Sequence, residues 1–111
     1  QSLCWRRGCC WSPLGDPNVP WCYFSSDHGY RVDGPLVTTQ QGLQAPLARL
    51  PSPSLFGHDI DHLLLTTQHQ TPNRLRFKIT DPNNQRYEVP HEHVGSFTGP
   101  AASNLKYEVE V

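Results

Sequence analysis

The chain has no methionine, no cysteine beyond Cys22, no Asn-x-Ser/Thr sequon and no apolar run long enough to span a bilayer. Opening on Gln1 without Met or a leader pattern, the 111 residues are expected to be a processed product or an excerpt of a longer chain. No sequon means that N-glycosylation gives no help with the compartment. Neither sign of charge dominates, with 9 Lys+Arg against 10 Asp+Glu, and the cations are scattered. That excludes the basic face a duplex-binding protein needs, so no nucleic-acid partner is expected. Eleven prolines and eight glycines leave no room for long helices, and a hydrophobic content of 36% allows only a modest core. A Gly-x-Ser-x-Gly elbow and a Gly-rich phosphate loop are also missing.

What is present is polarised. All four cysteines, Cys4, Cys9, Cys10 and Cys22, sit in an aromatic, Pro-rich segment at one end. Such clustering suggests disulfides and an oxidising compartment. Zinc is the alternative, but structural zinc favours pairs two to four residues apart, and the adjacent Cys9 and Cys10 point apart in extended backbone. Trp5, Trp11, Trp21, Tyr23 and Phe24 share this segment. They exceed what so small a core can bury, so some are expected at the surface. There they would stack on sugar rings or dock the piece onto a neighbouring domain.

Composition changes around Ser25–Gly29, and the texture beyond is that of strands. "YRV" and "LVTTQQGLQ" mix β-branched and polar residues, "LPSPSLFGHD" (50–59) is a loop, and "IDHLLLTTQHQ" (60–70) suits a buried strand. In "RLRFKIT", Leu75, Phe77 and Ile79 alternate with Arg74, Arg76 and Lys78. The Asp81-Pro82-Asn83-Asn84 turn with "QRYEV" (85–89) after it predicts a hairpin over 73–89. "LKYEVEV" (105–111) predicts a further strand and stops in mid-alternation, unlike the end of a finished domain. The whole reads as an antiparallel sheet with one wet face. An uncovered apolar face built from Leu75, Phe77, Ile79, Tyr107 and Val109 is expected.

Two His/acid groupings invite a chemical reading. Of His58, Asp59, Asp61 and His62, the two histidines would share a face only on a helix, while His91 and His93 share one on extended backbone but lack a third ligand. Asp59 with Asp61, or Glu88 with Glu92, could be nominated as a carboxylate pair by proximity alone, yet no motif positions either pair across a cleft. Solvated strand and loop residues are the better reading. No catalytic residue, metal site or cofactor is expected.

The segment "C-W-R-R-G-C-C-W…P-W-C-Y-F" (4–24) resembles the second half of a P-type trefoil. "LPSPSLFGHDID", "LLLTTQHQTPNR" and "NRLRFKITDPNNQRYEVPHEHV" resemble the start of the N-terminal β-sandwich of glycoside hydrolase family 31 α-glucosidases, of the maltase-glucoamylase and sucrase-isomaltase type. The resemblance implies an all-β chain: a small, disulfide-rich partial trefoil (1–24), a linker (25–34) and an incomplete antiparallel β-sandwich (35–111). The six trefoil cysteines pair first to fifth, second to fourth and third to sixth. Matched on the motif, Cys4 and Cys22 are then partners, and the partners of Cys9 and Cys10 would lie upstream of Gln1. Pro20 and Trp21 match positions lining the trefoil cleft, a sugar-binding or docking surface, and Trp11 matches the region beside it.

For the parent, the resemblance implies removal of terminal α-linked glucose from maltose and starch-derived oligosaccharides with retention, in a (β/α)8 barrel. The implied partners are oligosaccharide and, within the molecule, the catalytic barrel. The implied location is extracellular or lumenal, with the parent anchored at the apical brush-border membrane. No catalytic residue of the family maps onto this segment. A free-standing secreted trefoil-type module binding carbohydrate or mucin is the alternative reading.

Overall fold

The computed structural model describes residues 1–93, 95 and 97–111, so Val94, which closes the "NRLRFKITDPNNQRYEVPHEHV" stretch, lies outside the described residues. The secondary structure is one short helix, α1 (Ser2–Arg6), and seven strands among the described residues. These are β1 (Cys10–Trp11), β2 (Cys22–Tyr23), β3 (Tyr30–Val32), β4 (Val37–Thr38), β5 (Leu43–Arg49), β6 (His62–Thr71) and β7 (Arg74–Thr80). The chain is therefore all-β and antiparallel, with a single helical turn ahead of the strands. Its contacts divide it into two compact units, Gln1–Arg31 with Arg49–Asp61, and Val32–Ala48 with His62–Val111.

In the first unit α1 ends at Arg7, and Gly8 takes a left-handed φ of 69° that an L side chain adopts only with strain. The turn is closed by the Cys9 amide donating to the Cys4 carbonyl at 3.1 Å. It delivers Cys10 and Trp11 into a two-stranded ribbon, with Cys10 opposite Tyr23 and Trp11 opposite Cys22. Between the strands Asp16 makes an Asx turn, its Oδ1 accepting from the Asn18 amide at 2.9 Å.

Residues 50–61, between β5 and β6, are a loop, as Pro51, Pro53 and Gly57 predict for 50–59, and its base is tied shut. The Arg49 amide donates to the Asp61 carbonyl at 2.9 Å and Arg49 Nε to Asp61 Oδ1 at 3.1 Å. The Leu50 amide donates to the Gly29 carbonyl at 2.9 Å, and Tyr30 Oη to the Ile60 carbonyl at 2.7 Å. Contiguity in sequence does not reveal this grouping of 49–61 with 1–31.

The five-stranded sheet runs in the order β3-β5-β6-β7, with β4 pairing β5. Opposed residues share a face, so Ala45–Leu65–Ile79 and Thr67–Phe77 belong to one side, while Gln44–Thr66–Lys78 and Gln68–Arg76 belong to the other. The apolar side buries Ala45 and Thr67 at its centre. Over β7 it is open, with Phe77 66% and Ile79 52% exposed. Tyr107 and Val109, expected beside them, are half-buried instead. Gly42 is held by proximity: a Cβ there would lie 2.8 Å from Thr67 Oγ1 and closer still to the Thr67 carbonyl. Thr67 Oγ1 in turn accepts from the Leu43 amide at 3.0 Å.

Two expected pairings are not formed. The hairpin involving β7 is β6–β7, turning at Pro72–Asn73, and not 73–89. The Asp81 turn exists, with Oδ1 accepting from the Asn83 amide at 2.9 Å, but residues 85–89 are not a strand. One edge of β7 is taken by ten-residue β6, while Tyr87 is 86% exposed with no apolar surface to pack on, and Pro90 has no amide proton to donate. "LKYEVEV" is not a strand either, although its burial alternates: Leu105, Tyr107 and Val109 half-buried, Lys106, Glu108 and Glu110 exposed. It is held by one backbone bond, the Lys106 amide donating to the Pro72 carbonyl at 2.8 Å, and by side chains. Tyr107 Oη lies 3.1 Å from the Arg74 carbonyl and 3.3 Å from that of Thr71, and its ring meets His69 at 5.7 Å.

Candidate functional site

The cysteine-rich segment forms its surface from the ribbon. Trp11, on β1, and Trp21, immediately before β2, meet edge-to-face with ring centroids 5.9 Å apart and planes at 89°. This geometry directs the positive edge of one indole at the negative face of the other. Trp21 keeps 42% of its surface in water, and Pro20 beside it is exposed. Cys4 and Cys22 are joined by a disulfide with a Cα–Cα distance of 5.9 Å, which ties α1 to β2. Cys9 is a buried free thiol, and Cys10 is free and half-buried. The structure thus brings the two tryptophans together.

A concavity of about 360 Å³ in the same unit is lined by Arg7, Cys9, Cys22, Tyr23, Phe24 and Leu55. None of Trp11, Pro20 and Trp21 lines it. Sequence reasoning missed the contribution of Leu55, which arrives from the 49–61 loop; "SLFG" inside a Pro-rich stretch was the only signal. Nearby, the Phe24 and His28 rings meet at 5.2 Å, and His28 Nδ1 lies 3.1 Å from Ser25 Oγ. His28 Nε2 is buried without a hydrogen-bond partner among the described residues.

Of the His/acid groupings, Asp61, Glu88 and His91 make side-chain contacts, while His58, Asp59, His62, Glu92 and His93 are exposed. Asp61 closes the 49–61 loop onto Arg49. Glu88 takes the Lys78 ammonium, lies 3.6 Å from His91 Nε2, and has its carboxyl held below the usual range, first by the hydrogen bond from Lys78. Arg76 Nη2 lies 3.2 Å from the same His91 nitrogen. Asp81 is also lowered, chiefly because the Asn83 amide and the Asn84 side chain donate to its carboxylate. Among the described residues no group of three or more His, Cys, Asp or Glu side chains is placed to hold a metal ion. No helix among them is long and apolar enough to cross a membrane.

A disulfide-tied, two-stranded aromatic ribbon is the mark of a small cross-linked module rather than of a hydrophobic-core domain. The Trefoil (P-type) domain family matches it over residues 1–25. Along its full length the chain is 57% identical over 111 residues to intestinal sucrase-isomaltase of Homo sapiens, and 51% identical over 113 residues to probable maltase-glucoamylase 2 of Homo sapiens. It is 41% identical over 99 residues, 83% of the chain, to lysosomal alpha-glucosidase of Mus musculus. The chain belongs to the family 31 α-glucosidases of the sucrase-isomaltase and maltase-glucoamylase type. It spans 6%, 4% and 10% of the length of these three relatives.

Proposed function

We propose that this chain is a non-catalytic segment of an α-glucosidase whose whole protein removes terminal α-linked glucose from maltose and starch-derived oligosaccharides with retention. In chain order, 1–24 is the later part of a trefoil, 25–34 a connector and 35–111 the opening strands of a β-sandwich. Its role is architectural, the aromatic ribbon and the open sheet face docking within the whole enzyme. The observation that carries this reading is identity of 57% along the entire chain to a relative of which it forms 6%. Relatives named intestinal and lysosomal support an extracellular or lumenal setting.

The test has two arms. The 111-residue chain incubated with maltose should release no glucose above buffer, and saturable release would overturn the non-catalytic role. In the whole enzyme, Trp21→Ala should speed hydrogen exchange in residues 1–31 while leaving kcat unchanged, since removing a packed aromatic costs about 1–3 kcal/mol of local stability. Unchanged exchange, with a glycan-array signal of the chain abolished by Trp21→Ala, would favour the carbohydrate- or mucin-binding module instead.

A further inference from the structure

The polar side of the sheet encloses a cavity of about 300 Å³ that the architectural role leaves unused. Its floor is Gln44, Thr66 and Gln68 from β5 and β6, with Arg76 and Lys78 from β7 and Gln41 from the β4–β5 connection at its margin. These six supply two cations, three primary amides and a hydroxyl. Gln68 is held in place, its Nε2 donating to Gln41 Oε1 at 3.0 Å and its Oε1 accepting from Gln70 Nε2 at 3.1 Å. Among the described residues Gln44 and Thr66 make no side-chain hydrogen bond, so their amide and hydroxyl are available. The nearby charged and titratable groups are Glu88, which takes the Lys78 ammonium, and His91, which meets one guanidinium nitrogen of Arg76. A guanidinium carries five donors, so Arg76 retains donors for a second acceptor.

From this arrangement we infer that the cavity binds a small hydroxylated carboxylate, of the size of a hexuronate. The carboxylate lies on Arg76, where a planar fork matches two oxygens, with Lys78 as the second cation. Vicinal hydroxyls meet the Gln44 amide and the Thr66 hydroxyl, groups that both donate and accept. Glu88 is an internal carboxylate already seated on Lys78, and it competes with the ligand for that ammonium. The volume is at the lower end for small-molecule pockets and suits one ring.

Equilibrium dialysis of the full chain against labelled glucuronate, glucose and acetate tests this directly. Glucuronate should bind at least about tenfold more tightly than either of the others, since both the charged and the hydroxyl contacts are needed. Arg76→Gln should weaken glucuronate about tenfold or more, and Thr66→Val about fivefold. Glu88→Gln should tighten it severalfold, a gain that misfolding cannot mimic. Lys106→Ala, an exposed cation outside the cavity, should change nothing. Equal affinity for acetate, equal affinity for glucose, no saturable glucuronate binding, or weakening by Glu88→Gln would each overturn the inference.

Discussion

Residues 1–31 with 49–61 are held by ties between distant points of a loop-rich chain, whereas residues 32–48 with 62–111 are built on the backbone ladder of β4 to β7. In the first unit the regular structure is one turn of helix and short strands, and Cys4–Cys22, the Arg49–Asp61 closure and the Trp11–Trp21 pair supply the order. In the second, β5, β6 and β7 pair in register over most of their length. The difference arises from composition. A segment crowded with Pro and Gly cannot extend a ladder, so it is stabilised by restricting its unfolded chain. A segment of alternating β-branched and polar residues needs no cross-link, but it must find partners far along the chain.

Breaking the covalent tie should have the largest effect. The Cys4→Ser/Cys22→Ser double variant removes a bridge across a sequence separation of 18, worth about 3 kcal/mol for a loop of that size. The near-ultraviolet circular dichroism of the Trp11–Trp21 pair should collapse while hydrogen-exchange protection of β5–β7 survives. Loss of both together would show that the units are not energetically separate.

Gly42→Ala probes the opposite unit. With Thr67 backbone in the way, it should destabilise the sheet by about 1–3 kcal/mol, read as faster exchange in β5 and β6, and leave the tryptophan signal intact. Tyr107→Phe is milder. It removes a hydroxyl that reaches the Arg74 and Thr71 carbonyls, and the expected cost is about 1 kcal/mol, measured by urea unfolding.

Acid should give the smallest effect, again confined to the second unit. Asp81 and Glu88 both have carboxyls lowered in the folded chain, from ordinary values of 3.8 and 4.5. A lowered carboxyl stabilises the fold fully above its ordinary value, and that contribution fades as pH falls through the folded one. Stability of the 74–91 region should therefore begin to decline below about pH 4.5. Asp81→Asn with Glu88→Gln should flatten that decline, and an unchanged acid limb would remove these two groups as its cause.

Much of the contrast between the two units is legible in the residue pattern. Cysteine and aromatic crowding at 4–24 marks a cross-linked module, and alternation in "RLRFKIT" places Leu75, Phe77 and Ile79 on one side. The Asp81 turn forms because its carboxylate meets the Asn83 amide within the same few residues. The path of the chain after that turn is not legible, since "QRYEV" alternates as well as a strand does and lacks only an apolar surface on which to lie. The cavity residues were equally hidden. Gln44, Thr66 and Arg76 are ordinary strand residues when taken apart, and two strand registers bring them together.

By itself, then, the sequence determined the family, the all-β character, the covalent style of the first segment and which side chains of each strand share a face. These depend on local chemistry: cysteine spacing, proline frequency and a two-residue period. Tertiary structure alone decided that β7 pairs with β6, that the 49–61 loop joins the cysteine-rich unit, and that "LKYEVEV" is anchored by Tyr107 without becoming a strand. Those outcomes rest on competition between distant partners of similar local propensity. The winner is set by the surface each choice buries and the chain entropy each choice costs.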